Sequence, residues 1–216
     1  MTFALESGAE ARWTNPGAPR VVVCVNGGTA AEVEGTWSAS VEWLVRRLAR
    51  RLPDLSFLEV RYRTRSWRRF DRCVEDARAA LAAARAAGGA ELALLGFSMG
   101  GAVAVRVADD PAVRLVLGLA PWLPPQLDLA PLVGRRFAVV HGSLDGGLPG
   151  IPGVRPRLSR DGFERARALG VESGRTVIGG AVHAVALRSR SGRLVPMPRA
   201  RRWEELAASE LERLCT

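Results

Sequence analysis

The chain has 216 residues, 48% of them hydrophobic and 25% charged, which is long enough to bury one sizeable core and short for two ordinary domains, so a single domain over residues 1–216 is expected. It contains no run of 18 or more apolar residues for a membrane span, and its opening MTFALESGAEARW lacks the basic-then-apolar order of a secretory leader, so a cytoplasmic protein is expected. The net charge of +9 comes from 31 arginines and no lysine against 22 acids; this skew reads as composition and solvated faces, with neither nucleic acid nor membrane expected as a partner.

In chain order, apolar runs alternate with longer amphipathic stretches. Strands are expected at Arg20 to Val25, Phe57 to Tyr62, Ala90 to Leu95, Val113 to Leu119, Arg136 to His141 and Arg175 to Gly179. Helices are expected at Trp37 to Arg51, Phe70 to Ala87, Met99 to Val107, Ser159 to Leu169 and Arg201 to Leu214. In the second helix, Val74, Ala77, Leu81 and Ala84 form an apolar stripe, and the Gly88-Gly89 pair ends it. The alternation predicts an α/β class, a mostly parallel sheet of about six to seven strands with helices on both faces. Cys24, Cys73 and Cys215 show no metal or disulfide spacing, so no metal is expected, and Cys24 inside VVVCV reads as a small buried hydrophobe.

The strongest motif is Leu94-Leu95-Gly96-Phe97-Ser98-Met99-Gly100-Gly101, a G-x-S-x-G between a short apolar strand and a helix. A nucleophile elbow needs glycine two residues either side of the serine, because a Cβ there strikes the neighbouring strand or helix. Ser98 needs a base, and the chain has two histidines. His141 stands four residues before Asp145 in VVHGSLD, and His183 follows the last expected strand in GGAVH. The chain order Ser, acid, His selects His183, with Asp145 orienting it, Asp128 as the substitute acid and His141 as structural. The oxyanion hole is expected from the N–H groups of Met99 and of Gly28 in the Asn26-Gly27-Gly28-Thr29 loop, with Gly27 and Thr29 as alternatives to Gly28. That loop lacks the spacing of a nucleotide-binding motif, and no cofactor is expected.

Together VCVNGG, LGFSMGG, HGSLD and GGAVHA resemble the α/β-hydrolase superfamily over nearly the whole chain, and most of all the small capless bacterial serine hydrolases of the dienelactone-hydrolase and carboxylesterase type. Ala120-Pro121-Trp122 is a further familiar feature. The resemblance implies Gly28 as the oxyanion residue, with Asn26 where the family usually carries histidine. It also implies hydrolysis of a small ester or thioester in a shallow cleft without a lid. Trp37, Trp122, Leu123 and Leu148 are expected to line it, from loops at one sheet edge. Acyl transfer or ring closure is the alternative use of the same triad. The sequence shows no dimerisation signature.

Overall fold

The chain begins on the edge of a sheet and returns to build the middle of it, in a computed structural model that describes residues 2–146 and 153–214. The elements in chain order are β1 (Thr2–Ala4), β2 (Glu10–Thr14), β3 (Arg20–Val25), β4 (Val33–Glu34), α1 (Ala39–Arg51), β5 (Ser56–Arg61), β6 (Thr64–Arg65), α2 (Phe70–Ala86), β7 (Glu91–Phe97), α3 (Met99–Arg106), β8 (Val113–Leu119), β9 (Arg136–Gly142), α4 (Pro156–Ala168), β10 (Glu172–Ile178), β11 (Ala186–Arg188), β12 (Leu194–Pro196) and α5 (Ala200–Glu212). Eight strands form the main sheet in the order β1-β2-β5-β3-β7-β8-β9-β10. From β5 to β10 the pairing is parallel, and β1 and β2 join antiparallel on the far side.

The strands of the sheet centre are apolar throughout because both of their faces are covered. In β3, Val21, Val23 and Val25 face one core with α2, α3 and α4, and Val22 and Cys24 face the other with α1 and α5. Cys24 is fully buried, and burial pushes its thiol well above the ordinary value, as its reading as a hydrophobe requires. Helix α1 starts at Ser38, whose hydroxyl accepts from the Val41 N–H at 3.3 Å, and it buries Val41, Leu44, Val45 and Leu48. On α2 the expected stripe lies inward, with Ala77, Leu81 and Ala84 buried and Val74 partly so. Gly88 then turns the chain at φ +94°, and the Gly89 N–H reaches the Ala84 carbonyl at 2.9 Å.

The sheet has eight strands rather than six to seven. The additions, β1 and β2, carry too few apolar residues to read as strands: β2 is EARWT, and Ala11 is its one buried residue. Strand β10 starts three residues earlier than expected because it is an edge strand. Of its seven residues Ile178 alone is buried, so apolar content does not mark its start.

Strand β2 is anchored electrostatically. The Arg12 guanidinium donates to both oxygens of Glu59 on β5, at 2.9 and 2.8 Å, and lies 3.0 Å from Glu42 on α1. Both carboxylates belong to buried residues, and Arg188 adds a second bond to Glu42 at 2.7 Å. Removing one partner of such a cluster leaves charge buried and unpaired, so Arg12→Ala is expected to lower unfolding free energy by about 3–5 kcal/mol in urea titration. A loss under about 1 kcal/mol would show that the cluster does not hold the strand.

Candidate active site

Ser98 is the single residue between β7 and α3. Its backbone sits at φ 57° and ψ −121°, a conformation that costs a non-glycine residue about 1–3 kcal/mol and persists where its surroundings enforce it. Those surroundings are specific. The Ser98 N–H donates to the Leu119 carbonyl at 3.0 Å, and its own carbonyl accepts from the Gly101 and Trp122 N–H groups at 2.9 Å each. A Cβ on Gly96 would come within 2.3 Å of the Gly100 carbonyl oxygen, and one on Gly100 within 2.4 Å of that of Val25. The two glycines thus let strand, turn and helix approach closely enough to hold the serine in its strained form.

His183 and Asp145 meet behind this turn. The Nδ1–H of His183 donates to Asp145 Oδ2 at 2.7 Å, and the His183 ring lies 5.0 Å from that of Phe97. Ser98 and His183 line one cleft of about 320 Å³, together with Asn26, Gly27, Gly28, Trp67 and Gly153. Among the described residues the Ser98 hydroxyl and His183 Nε2 make no hydrogen bond. A larger hollow of about 870 Å³, among Trp43, Arg47, Met197 and Arg201, contains neither a nucleophilic serine nor a histidine, so chemistry and not size marks the site.

Asp145 is 2% exposed, accepts two hydrogen bonds and has one further close polar contact. Besides His183, the Val154 N–H reaches Oδ1 at 2.8 Å and His141 Nε2 lies 3.0 Å from Oδ2. Burial alone raises the pKa of such a carboxyl, but the hydrogen bonds and charge of the two histidines outweigh it and hold Asp145 below the ordinary value. His141 is fully buried, with Nε2 also 2.8 Å from the Val154 carbonyl and Nδ1 2.8 Å from the Ser159 hydroxyl. Two acceptors flank Nε2, so that nitrogen carries a proton and the ring braces the acid. Its place at the inner end of the network agrees with the structural role read from the sequence.

The loop after β3 is held from behind. Asn26 Nδ2 donates to the Val60 carbonyl at 2.7 Å, and the Tyr62 hydroxyl donates to the Asn26 carbonyl at 3.3 Å. A Cβ on Gly27 would lie 3.1 Å from Ser98 Cβ, while one on Gly28 would strike Met99 Sδ at 2.3 Å and Trp67 at 2.4 Å. Both glycines therefore face the cleft, and Met99 opens the helix beside it.

The expected lining residues divide. Trp37 lies outside the cleft, in a separate hollow with Arg61 and Glu34, where the Arg12 guanidinium covers its ring at 4.3 Å. Leu123 is 1% exposed and belongs to the core, against Gly162 of α4. Trp122 reaches the site indirectly by stacking on Trp67 at 5.1 Å. Leu148 falls outside the described residues. Trp67 takes the place expected of Trp37, because the Trp67 N–H donates to the Thr29 carbonyl at 2.9 Å and folds its segment onto the glycine loop. Asp128 is exposed and accepts from the Ala130 N–H at 2.9 Å, so it does not reach His183.

Two outcomes are expected. Because the folded-state pKa of Asp145 is depressed, the group contributes stability above its unfolded value of about 3.9, and that contribution is lost as pH falls through the folded value. The urea midpoint should therefore fall less steeply between about pH 5 and 2 in Asp145→Asn than in the parent; equal slopes would contradict this. Ser159→Ala, which leaves His141 Nδ1 unpartnered, should cost about 1–3 kcal/mol by the same measurement.

Residues 61–149 match the family model described as serine aminopeptidase, S33, a span that includes both Ser98 and Asp145. A search of curated proteins finds no match. Among solved structures, an alpha-beta serine hydrolase homologue from Coxiella burnetii superposes with a TM-score of 0.69 at 18% identity, covering 98% of this chain and 96% of that one. An esterase from Pyrobaculum calidifontis gives 0.69 at 16%, covering 100% and 85%, and a dienelactone hydrolase from Anabaena variabilis gives 0.67 at 16%, covering 99% and 97%. The connection from β8 to β9, residues 120–135, holds only a short 3-10 turn at Ala130–Leu132. The chain therefore has the α/β-hydrolase fold, with a hydrolase family model matching through its elbow and no cap domain among its described residues.

Proposed function

We propose that the protein cleaves a carboxylic ester or thioester of a small substrate through an acyl-Ser98 intermediate. The observation that supports this most is the 2.7 Å bond from His183 Nδ1 to the buried Asp145, with His183 and the strained Ser98 lining one cleft. With Nδ1 donating to the acid, Nε2 is the nitrogen that takes the Ser98 proton as Oγ attacks the carbonyl. Asp145 stabilises the imidazolium so formed. The N–H groups of Met99 and Gly28 are assigned to the tetrahedral oxyanion, and His183 returns its proton to the leaving alcohol or thiol. Water, deprotonated by the same Nε2, then releases the acid and restores Ser98. Substrate, three side chains and water complete this cycle.

Peptide cleavage from a free amino terminus, the activity named by the matched family model, has weaker support. Recognition of an α-ammonium group calls for a carboxylate in the cleft. Those lining residues include Arg65 and no acid, and Asp145 is engaged behind His183. The absence of a lid over the β8–β9 connection favours water over an excluded second nucleophile, and so hydrolysis over acyl transfer. The free thiols of Cys24 and Cys73 fit the cytoplasmic location proposed with this reading, and the 216 residues are read as one domain.

Short p-nitrophenyl esters should release nitrophenol, and a fluorophosphonate probe should add one adduct at Ser98 by intact mass and peptide mapping. Ser98→Ala should fold and lose both. Asp145→Asn should lower kcat by about 10⁴-fold by presenting the wrong His183 tautomer. A Ser98→Ala protein that retains ester hydrolysis would refute the assignment.

A further inference from the structure

The cleft contains a cation without a counter-ion among the described residues. Three neighbouring arginines illustrate the contrast. Arg61 pairs with Glu10 at 3.1 Å and Glu34 at 2.8 Å, Arg63 with Asp76 and Glu75 at 2.7 Å each, and Arg69 with Glu32 at 2.8 Å. Arg65 stands among them and its guanidinium has no acid or hydrogen-bond acceptor among the described residues. Its Nε is buried with no partner, and the residue lines the cleft with Ser98 and His183. The backbone is fixed: β6 pairs Arg65 with Val33, and the Arg65 carbonyl accepts from the Thr29 hydroxyl at 3.1 Å. Residues 147–152, GLPGIP, contain no acidic side chain to serve it.

A guanidinium donor withdrawn from water without an acceptor is costly, and the cost is relieved when a ligand supplies the anion. The planar fork of arginine suits the two oxygens of a carboxylate or phosphate. Arg135 and Arg175 also have a buried Nε without a partner, but neither lines this cleft, and Arg135 satisfies its terminal nitrogens on backbone carbonyls. We infer that Arg65 recognises an anionic group on the substrate, so that the preferred substrate is an ester or thioester bearing a carboxylate or phosphate near the scissile carbonyl. This rests on the reading of Ser98 as the nucleophile. A cleft of about 320 Å³ suits an acyl group of the size of succinyl or glutaryl.

The test compares kcat/KM for mono-p-nitrophenyl glutarate with that for the neutral valerate ester, in the parent, Arg65→Gln and Arg65→Lys. The expected ratio of anionic to neutral ester is about tenfold or more in the parent, as a charged hydrogen bond implies. It should fall at least about tenfold in Arg65→Gln, chiefly through KM, and recover in part in Arg65→Lys. A phosphonate-tailed ester of equal length separates phosphate from carboxylate preference. A parent ratio at or below one for both anionic esters overturns the inference even if Arg65→Gln does not fold, and so does a ratio that Arg65→Gln leaves unchanged. Calorimetric binding of monomethyl glutarate to Ser98→Ala, with and without Arg65→Gln, separates the two readings. Arg65-dependent binding without hydrolysis of any ester upholds the anion site and removes the hydrolase reading. Hydrolysis with no Arg65-dependent preference does the reverse.

Discussion

The carboxylate of Asp145 joins three parts of the chain that have no other reason to meet. It sits beyond the end of β9, accepts from Val154 in the approach to α4, and accepts from His183 in the loop after β10. A buried carboxylate is costly unless each oxygen is paired. Here Oδ1 has the Val154 amide, and Oδ2 has both histidines. The requirement that every donor arrive together fixes the His183 ring, and so the direction in which its free nitrogen faces. His141 is the part of this arrangement that is removed from the cleft, filling the space behind the acid with a ring whose Nε2 lies 3.0 Å from Asp145 Oδ2 and bonds the Val154 carbonyl.

Opposite that ring, the elbow holds Ser98, the proposed nucleophile, by close packing and by backbone hydrogen bonds to Leu119, Gly101 and Trp122. Ser98 accepts its strained backbone because Gly96, Gly100 and Gly101 leave no room for an alternative path between β7 and α3. The two devices are independent in origin, one largely steric and one electrostatic, and they converge because both lie at the carboxyl ends of parallel strands of one sheet, β7 and β9, with β8 between them. The glycine loop after β3 comes to the same edge for the same topological reason.

Charge is distributed with similar specificity over the rest of the molecule. A net charge of +9 could suggest a single basic face, yet most of the arginines near the amino-terminal strands are matched to acids from other elements, as Arg12 is to Glu59 and Glu42, and Arg63 to Asp76. These pairs tie the antiparallel edge and the β6 segment to the body of the sheet. Arg65 differs because its neighbours have already taken the nearby carboxylates.

The sequence by itself determined what depends on short-range chemistry. Apolar runs marked the strands covered on both faces, helical stripes marked α1 to α5, and glycine spacing marked the elbow. Chain order also set His183 apart from His141, the reading on which the proposed triad rests. What the tertiary structure decided depends on partners distant in the chain. Strands β1 and β2 carry little apolar character and exist through the pairing of β2 with β5 and of β1 with β2. Trp37 is drawn from the cleft by Arg12, 25 positions earlier, while Trp67 is drawn in by Thr29, and Leu123 is buried by Gly162. Local pattern says whether a side chain is to be buried, but which residues cover it is a property of the assembled sheet.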